Sequence, residues 1–83
     1  MTKADQVRAY VVQVYIFPAR QRGESQVTIV AGSIAKDLKF SDRIPLVCDA
    51  LAALKFRADY NLRLLKRTGP WGGATATFTF ELV

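Results

Sequence analysis

The chain has 83 residues, carries a net charge of +5 and contains no histidine. This length suits one domain with a single hydrophobic core, and a hydrophobic fraction of 51% excludes a globally disordered chain. Cys48 is the only cysteine, so neither an intramolecular disulfide nor a Cys/His zinc site can form, and we expect Cys48 to pack in the core. The positive charge favours an anionic partner without choosing among DNA, RNA and a membrane surface.

The first half contains no apolar segment of membrane-spanning length. The stretch from Ala9 to Phe17 is interrupted by Gln13 and followed by Pro18, whereas a span needs about 20 apolar residues. No apolar signal-peptide core follows the first residues. We therefore expect a cytoplasmic protein with no membrane contact, associated with the nucleoid if it binds DNA.

Residues 2–17 are predicted to form the first helix, with Thr2 as its N-cap and Asp5 in the first turn. Pro18 either ends this helix or kinks it, in which case it continues to Arg22. Apolar residues at helical spacing predict a core-facing stripe: Val7, Tyr10, Val11, Val14 and Phe17. A second apolar face predicts a homodimer seam or a surface for another subunit, unless the hairpin or the chain end covers it. Its residues are Val12, Tyr15 and Ile16.

The middle of the chain predicts a strand and two short helices. Residues 26–30 alternate as a strand does, and Gly32-Ser33 opens a second helix that ends at Leu38. Ser41 or Asp42 is predicted to cap a third helix over residues 42–54. Its predicted core stripe is Ile44, Val47, Cys48, Leu51 and Leu54, and its outward face is Leu46, Asp49, Ala50 and Ala53. Residues 56–60 are predicted to be a loop.

The last third predicts a β-hairpin. Leu62 and Leu64 alternate on the first strand, and Thr77 to Leu82 alternate on the return strand with Phe78 and Phe80 on one side. The connection contains the sequence GPWGG at residues 69–73, which lacks the Lys-Ser/Thr ending of a phosphate-binding P-loop.

This order of elements resembles the winged helix-turn-helix superfamily. The resemblance is carried by residues 32–38 (GSIAKDL), residues 41–48 (SDRIPLVC) and the strands around residues 69–73. It implies an α+β fold over residues 1–83, with three helices and a small antiparallel sheet whose C-terminal β-hairpin is the wing. It also implies binding to double-stranded DNA, often as a homodimer, and sometimes a purely protein–protein role.

The candidate DNA-binding residues follow from where this motif meets DNA. Arg43, at the start of the third helix, is placed to contact guanine or a phosphate, or is a solvated charge. The other candidates are Lys36 and Lys39 beside the DNA backbone, Arg63, Lys66 and Arg67 on the wing, and Trp71 at its tip. Trp71 stacks on a base or sugar, anchors a protein partner, or folds back over its own hairpin.

Two other functions stay open: a protein–protein module using the third helix and Trp71, and a single-strand or RNA binder that stacks bases on Trp71. Arg20 and Arg22 form a separate basic patch, for backbone contact or only for solubility. We expect no enzyme, no cofactor and no metal, because there is no histidine and no nucleophile with an adjacent base.

Overall fold

Residues 2–40 and 42–82, which the computed structural model describes, form an α+β domain with four helical runs and one three-stranded antiparallel sheet. In the first run α1 (Lys3–Val11), a π-helical segment (Val12–Ile16) and α2 (Phe17–Gln21) follow one another without a break. The remaining elements are β1 (Gln26–Val30), α3 (Ala31–Leu38), α4 (Ile44–Ala52), α5 (Leu54–Tyr60), β2 (Leu62–Thr68) and β3 (Thr77–Leu82). The predicted α+β class and antiparallel sheet are confirmed.

The predicted N-cap of the first helix, Thr2, is confirmed, and it forms a capping box with Asp5. The Thr2 hydroxyl accepts a hydrogen bond from the Asp5 backbone N–H at 3.1 Å, and the Asp5 carboxylate accepts one from the Thr2 N–H at 3.3 Å. Arg8 donates to the same carboxylate at 2.9 Å. The Arg8 guanidinium, with the bonds from Thr2, lowers the pKa of Asp5 below its usual value.

The π-helical segment changes which residues of the first run face the core. The buried positions are Val7, Val11, Ile16 and Ala19, so the interval after Val11 is five residues. A π-helical turn closes over five residues instead of four, and it therefore moves the buried stripe one position along the chain. As a result Ile16 lies in the core, although regular α-helical spacing predicts Val14 there.

Two predictions about this run are therefore wrong. Val14 and Phe17 are 45% and 57% exposed, so they are not part of the core stripe. Ile16 is only 2% exposed and is not accessible for a homodimer seam. Val12 and Tyr15, the other two residues of that predicted seam, are half-buried against the core.

The sheet order is β1-β3-β2, so the C-terminal strand lies in the centre. β1 pairs with the C-terminal strand of the hairpin: Thr28 lies opposite Thr79, and Ile29 opposite Phe78. One face of the sheet carries the fully buried Ile29, Phe78 and Phe80, and the helices cover this face. The other face is open and polar.

The two middle helices differ from their predicted bounds. α3 begins at Ala31 with Val30 as its N-cap, instead of at Ser33. α4 covers Ile44–Ala52 with Arg43 as its N-cap, so it is shorter than the predicted 42–54. Of the two predicted caps of α4, Asp42 precedes the N-cap and Ser41 lies outside the described residues.

The predicted loop at residues 56–60 is wrong, because α5 occupies Leu54–Tyr60. Phe56 is fully buried and meets Phe80 edge-to-face at 5.8 Å between ring centroids. Leu54, assigned to the core stripe of α4, is 75% exposed instead. In the part of the chain that the structure describes, none of the helices combines the length and apolarity needed to cross a membrane.

Candidate nucleic-acid interface

The turn between α3 and α4 places three cationic side chains at the surface. Lys39 ends α3 in the left-handed conformation (φ 61°), and the Phe40 N–H donates to the Ala35 carbonyl at 2.6 Å. Together with the bond from the Lys39 N–H to the Lys36 carbonyl, this is a Schellman motif, which reverses the chain sharply. Lys36, Lys39 and Arg43 are all exposed.

Asp37, which lies between the two lysines in sequence, is engaged elsewhere. Its carboxylate accepts a hydrogen bond from the Tyr10 hydroxyl on α1 at 2.6 Å. This bond favours the protonated phenol and raises the pKa of Tyr10 to about 12. In the described part of the chain Asp37 forms no ion pair with Lys36 or Lys39, so both ammonium groups are available to an external anion.

Lys3 is a further cation at this turn, and sequence analysis did not single it out. Its ammonium lies 5.6 Å from the centroid of the Phe40 ring, in a cation–π contact. The contact joins the start of α1 to the turn that carries Lys39. Because it joins residues 37 positions apart, no local sequence signal predicts it.

The cations of β2 are divided between the two faces of the sheet by a bulge at Leu65. Arg63 pairs with Glu81 and Lys66 with Thr79, so both lie on the open face. Arg67 pairs with Phe78 and therefore lies on the opposite face. Arg63 also forms an ion pair with Glu81 at 3.7 Å, which partly neutralises it. The three wing cations are thus not equivalent.

Trp71 packs back on its own hairpin. Its ring meets Phe78 edge-to-face at 6.3 Å, and the Arg67 guanidinium lies 4.6 Å from the ring centroid. The ring nevertheless remains 47% exposed. Of the three roles considered for Trp71, the structure shows the folded-back arrangement and leaves half of the side chain open to a ligand.

The loop between β2 and β3, residues 69–76, is attached to the starts of α3 and α4. The Gly32 N–H donates to the Ala74 carbonyl at 3.0 Å, and the Ala31 N–H donates to the Ala76 carbonyl at 2.8 Å. At the tip, Gly72 passes so close to Pro45 that an added Cβ would lie 3.2 Å from the proline ring. The loop therefore brings Arg67 and Trp71 to the end of the domain where α4 begins.

The predicted outward face of α4 is only partly accessible. Ala50 was expected to point outward, but it is 1% exposed. The exposed residues of the helix are Pro45 and Asp49, while Leu46 is half-buried. The Pro45 side chain offers no hydrogen bond, and the Asp49 carboxylate repels phosphates and can only accept a hydrogen bond, as from cytosine N4. Arg43, at the N-cap, is therefore the residue that gives this helix a contact with phosphate or guanine.

The remaining cations near the ends of the first run serve local structure. Arg20 donates to the carbonyls of Tyr60 and Asn61, at 2.7 and 3.2 Å, and thereby connects α2 to the end of α5. Arg22 forms a 2.7 Å ion pair with Glu24. These contacts explain both side chains without a nucleic acid.

Comparison of the chain with protein-family models, with curated proteins and with solved structures gives no match.

Proposed function

We propose that this chain is a winged helix-turn-helix domain that binds double-stranded DNA, mainly through the phosphate backbone. The observation that carries the proposal is the grouping of cations at one end of the domain. Lys36 lies in the last turn of α3, and Lys39 and Arg43 lie at the two ends of the α3–α4 turn. The contact between Gly72 and Pro45 brings the wing against the start of α4. Within the described residues, none of the three ion pairs involves these cations, Lys66 or Arg67.

The order of elements supports the same proposal. A strand between the first helix and the helix pair joins the C-terminal hairpin in a sheet of order β1-β3-β2, as in the winged-helix arrangement. In that arrangement the first helix of the pair crosses the DNA backbone and the start of the second approaches the groove. This assigns backbone contacts to Lys36 and Lys39 and a groove-edge contact to Arg43.

The nature of the exposed surface favours backbone binding over sequence reading. The outward ridge of α4 carries Pro45 and Asp49, which cannot donate hydrogen bonds to bases. Phosphate contacts fix the position of a protein on DNA without reading sequence. We therefore expect weak sequence preference, as in an architectural DNA-binding protein, with any specificity coming from groove shape.

Fluorescence anisotropy tests this function with a random-sequence duplex and the matching single strand at low salt. We expect tight duplex binding that the Lys39→Ala/Lys66→Ala double variant weakens by about tenfold or more, since each lost charge contact costs on the order of 1 kcal/mol. The matched control is Arg22→Ala/Lys55→Ala, which removes the same charge from residues outside the proposed surface, after α2 and on α5. Equal weakening by both double variants would show only a net-charge effect and would contradict the proposed surface.

Single-strand binding is the second candidate, because the half-exposed Trp71 ring offers a stacking surface. The Arg67 guanidinium covers one side of the ring, so a base can stack there only if Arg67 moves away. The duplex is therefore the better-supported ligand. Preference for the single strand in the same titration, together with strong quenching of Trp71, would select the second candidate.

A further inference from the structure

The two edges of the sheet differ in how they are protected against further strand pairing. β2 carries the cations Arg63, Lys66 and Arg67 and a bulge at Leu65, features that discourage another strand from adding to an edge. β1 has the sequence QVTIV, without charge, proline or bulge. Strands of this composition pair readily. Only one edge of this sheet is therefore suited to receive an additional strand.

The backbone groups available on the outer edge of β1 follow from its pairing with β3. The Leu82 N–H donates to the Ser25 carbonyl at 2.9 Å, and the Ala31 N–H donates to the Ala76 carbonyl at 2.8 Å. In an antiparallel pair, hydrogen-bonded and non-hydrogen-bonded positions alternate. The backbone groups that point away from β3 are therefore those of Gln26 and Thr28 and the N–H of Val30, because the Val30 carbonyl, at the N-cap of α3, accepts the first hydrogen bond of that helix. Among the described residues, no other strand pairs with this edge.

We propose that β1 pairs antiparallel with β1 of a second copy of this chain, about a two-fold axis at Thr28. This register places Thr28 opposite Thr28 of the other copy and Gln26 opposite Val30. The Thr28 N–H and carbonyl pair with those of the other Thr28, and the Val30 N–H donates to the Gln26 carbonyl of the other copy. On the core side, Val27 lies opposite Ile29 of the other copy. None of the residues in these cross-strand pairs is charged. Although each domain carries a net charge of +5, the paired strands themselves therefore do not repel each other.

The neighbouring helical surface extends the same contact. The π-helical segment packs beside β1, and its Val12 and Tyr15 are half-buried within one protomer. By symmetry a second copy brings its own π-helical segment to this edge, whereas a short peptide strand brings only its backbone and side chains. The pairing gives a six-stranded sheet with both β2 edges and both wings at its outer ends. The proposed dimer contact therefore leaves the proposed DNA surface uncovered.

Disulfide trapping with Thr28→Cys tests the register. Residues facing each other in a hydrogen-bonded antiparallel pair have Cα atoms about 5.5 Å apart, a distance that a disulfide spans. The natural Cys48 is fully buried, so it does not compete. The matched control is Thr68→Cys, an exposed threonine on the open face of the opposite edge strand. We expect rapid formation of a covalent dimer for Thr28→Cys only. Equal rates for both variants would overturn the proposal.

Thr28→Pro tests the backbone pairing itself. Because the Thr28 N–H points away from β3, proline at this position removes no hydrogen bond within the protomer. We expect this variant to keep its circular-dichroism spectrum and to sediment as a monomer at concentrations where the wild-type chain is a dimer. Weak dimers form at protein concentrations up to roughly several hundred micromolar. A wild-type chain that is still monomeric at such concentrations would refute the proposed dimer. Duplex binding measured on the same samples reports separately on the proposed function.

Discussion

Lys39 combines a costly backbone conformation with an exposed charge. Its φ of 61° lies in the left-handed region, where a side chain with a Cβ costs about 1–2 kcal/mol. Glycine occupies such helix ends without that cost, although it also loses more conformational entropy on folding. The presence of lysine here is consistent with a use for its ammonium group that outweighs the loss of stability.

Lys39→Gly is therefore expected to stabilise the domain and weaken DNA binding at the same time. We expect the free energy of unfolding to rise by about 0.5–1 kcal/mol, measured by urea denaturation, while duplex affinity falls. Asn61→Gly is the control, because Asn61 has a φ of 55° but carries no charge. An unchanged DNA affinity in Lys39→Gly would remove Lys39 from the interface.

The bond from Tyr10 to Asp37 predicts a specific pH dependence of stability. The folded pKa of Tyr10 is raised from 10.0 to about 12, so the folded state holds the phenol proton more tightly than the unfolded state. This contribution is complete below pH 10 and is lost as the pH rises to about 12. We expect wild type to be more stable than Tyr10→Phe below pH 10, with the difference shrinking above it. The measurement is the urea midpoint of both proteins between pH 8 and about pH 12. A difference between wild type and Tyr10→Phe that stays constant over this range would contradict a role for the bond from Tyr10 to Asp37.

At the scale of elements, the hairpin loop is attached to the domain by backbone contacts at Gly32. A Cβ at this position would lie 2.4 Å from the Ala74 carbonyl oxygen, so a larger residue has to displace residues 69–76. The same loop holds Trp71 against Phe78 and passes Gly72 along Pro45. The position of the wing relative to α4 therefore depends on a glycine outside the wing.

Gly32→Ala is expected to destabilise the domain by about 1–3 kcal/mol, as overpacking of a tight contact does, and to change the emission of Trp71 in the folded state. Gly23→Ala provides the comparison. Its φ of 74° makes alanine strained, but a Cβ there would meet nothing within 4 Å. We expect it to cost stability without altering Trp71 emission. Identical spectra for both variants would show that the loop does not depend on the Gly32 contact.

The first run and α5 depart most from the structure that their sequence predicts. The alternation of apolar and polar residues predicted both β1 and β3, because successive side chains of a strand point to opposite faces of the sheet. Val14, Phe17 and Ile16 were misassigned because the π-helical segment inserts one residue into the helical repeat, and composition does not reveal this. α5 was missed because it starts after Ala53 without a side-chain cap and is held mainly by burial of Phe56.

The candidate site shows the same limit. The exposure of Lys36, Lys39 and Arg43 could be predicted from helical spacing. The separation of Lys66 from Arg67 could not, because it depends on a bulge at Leu65 that alternation alone does not indicate. The contacts of Lys3 with Phe40 and of Tyr10 with Asp37 join distant parts of the chain, so they follow only from the packing of α1.

At the scale of the whole molecule, the net charge of +5 is distributed unevenly. The described carboxylates in ion pairs are Asp5, Glu24 and Glu81, whose partners are Arg8, Arg22 and Arg63. The cations Lys36, Lys39, Arg43, Lys66 and Arg67 belong to none of these pairs and contribute a positive field at the turn and the wing, which the exposed Asp37, Asp42 and Asp49 partly offset. Such a field accelerates encounter with DNA and makes affinity sensitive to salt.

The salt dependence of duplex binding tests whether these cations act together. If Lys36, Lys39, Arg43, Lys66 and Arg67 each neutralise one phosphate, the slope of log affinity against log salt is about −4.5, and affinity falls about 500-fold between about 50 and 200 mM salt. Removing one contact, as in Arg43→Ala, should make the slope shallower by about 0.9 on every duplex sequence. A variant that loses affinity on some sequences only, with the slope unchanged, would instead identify Arg43 as a base-reading residue, because hydrogen bonds to bases release no counterions from the phosphates.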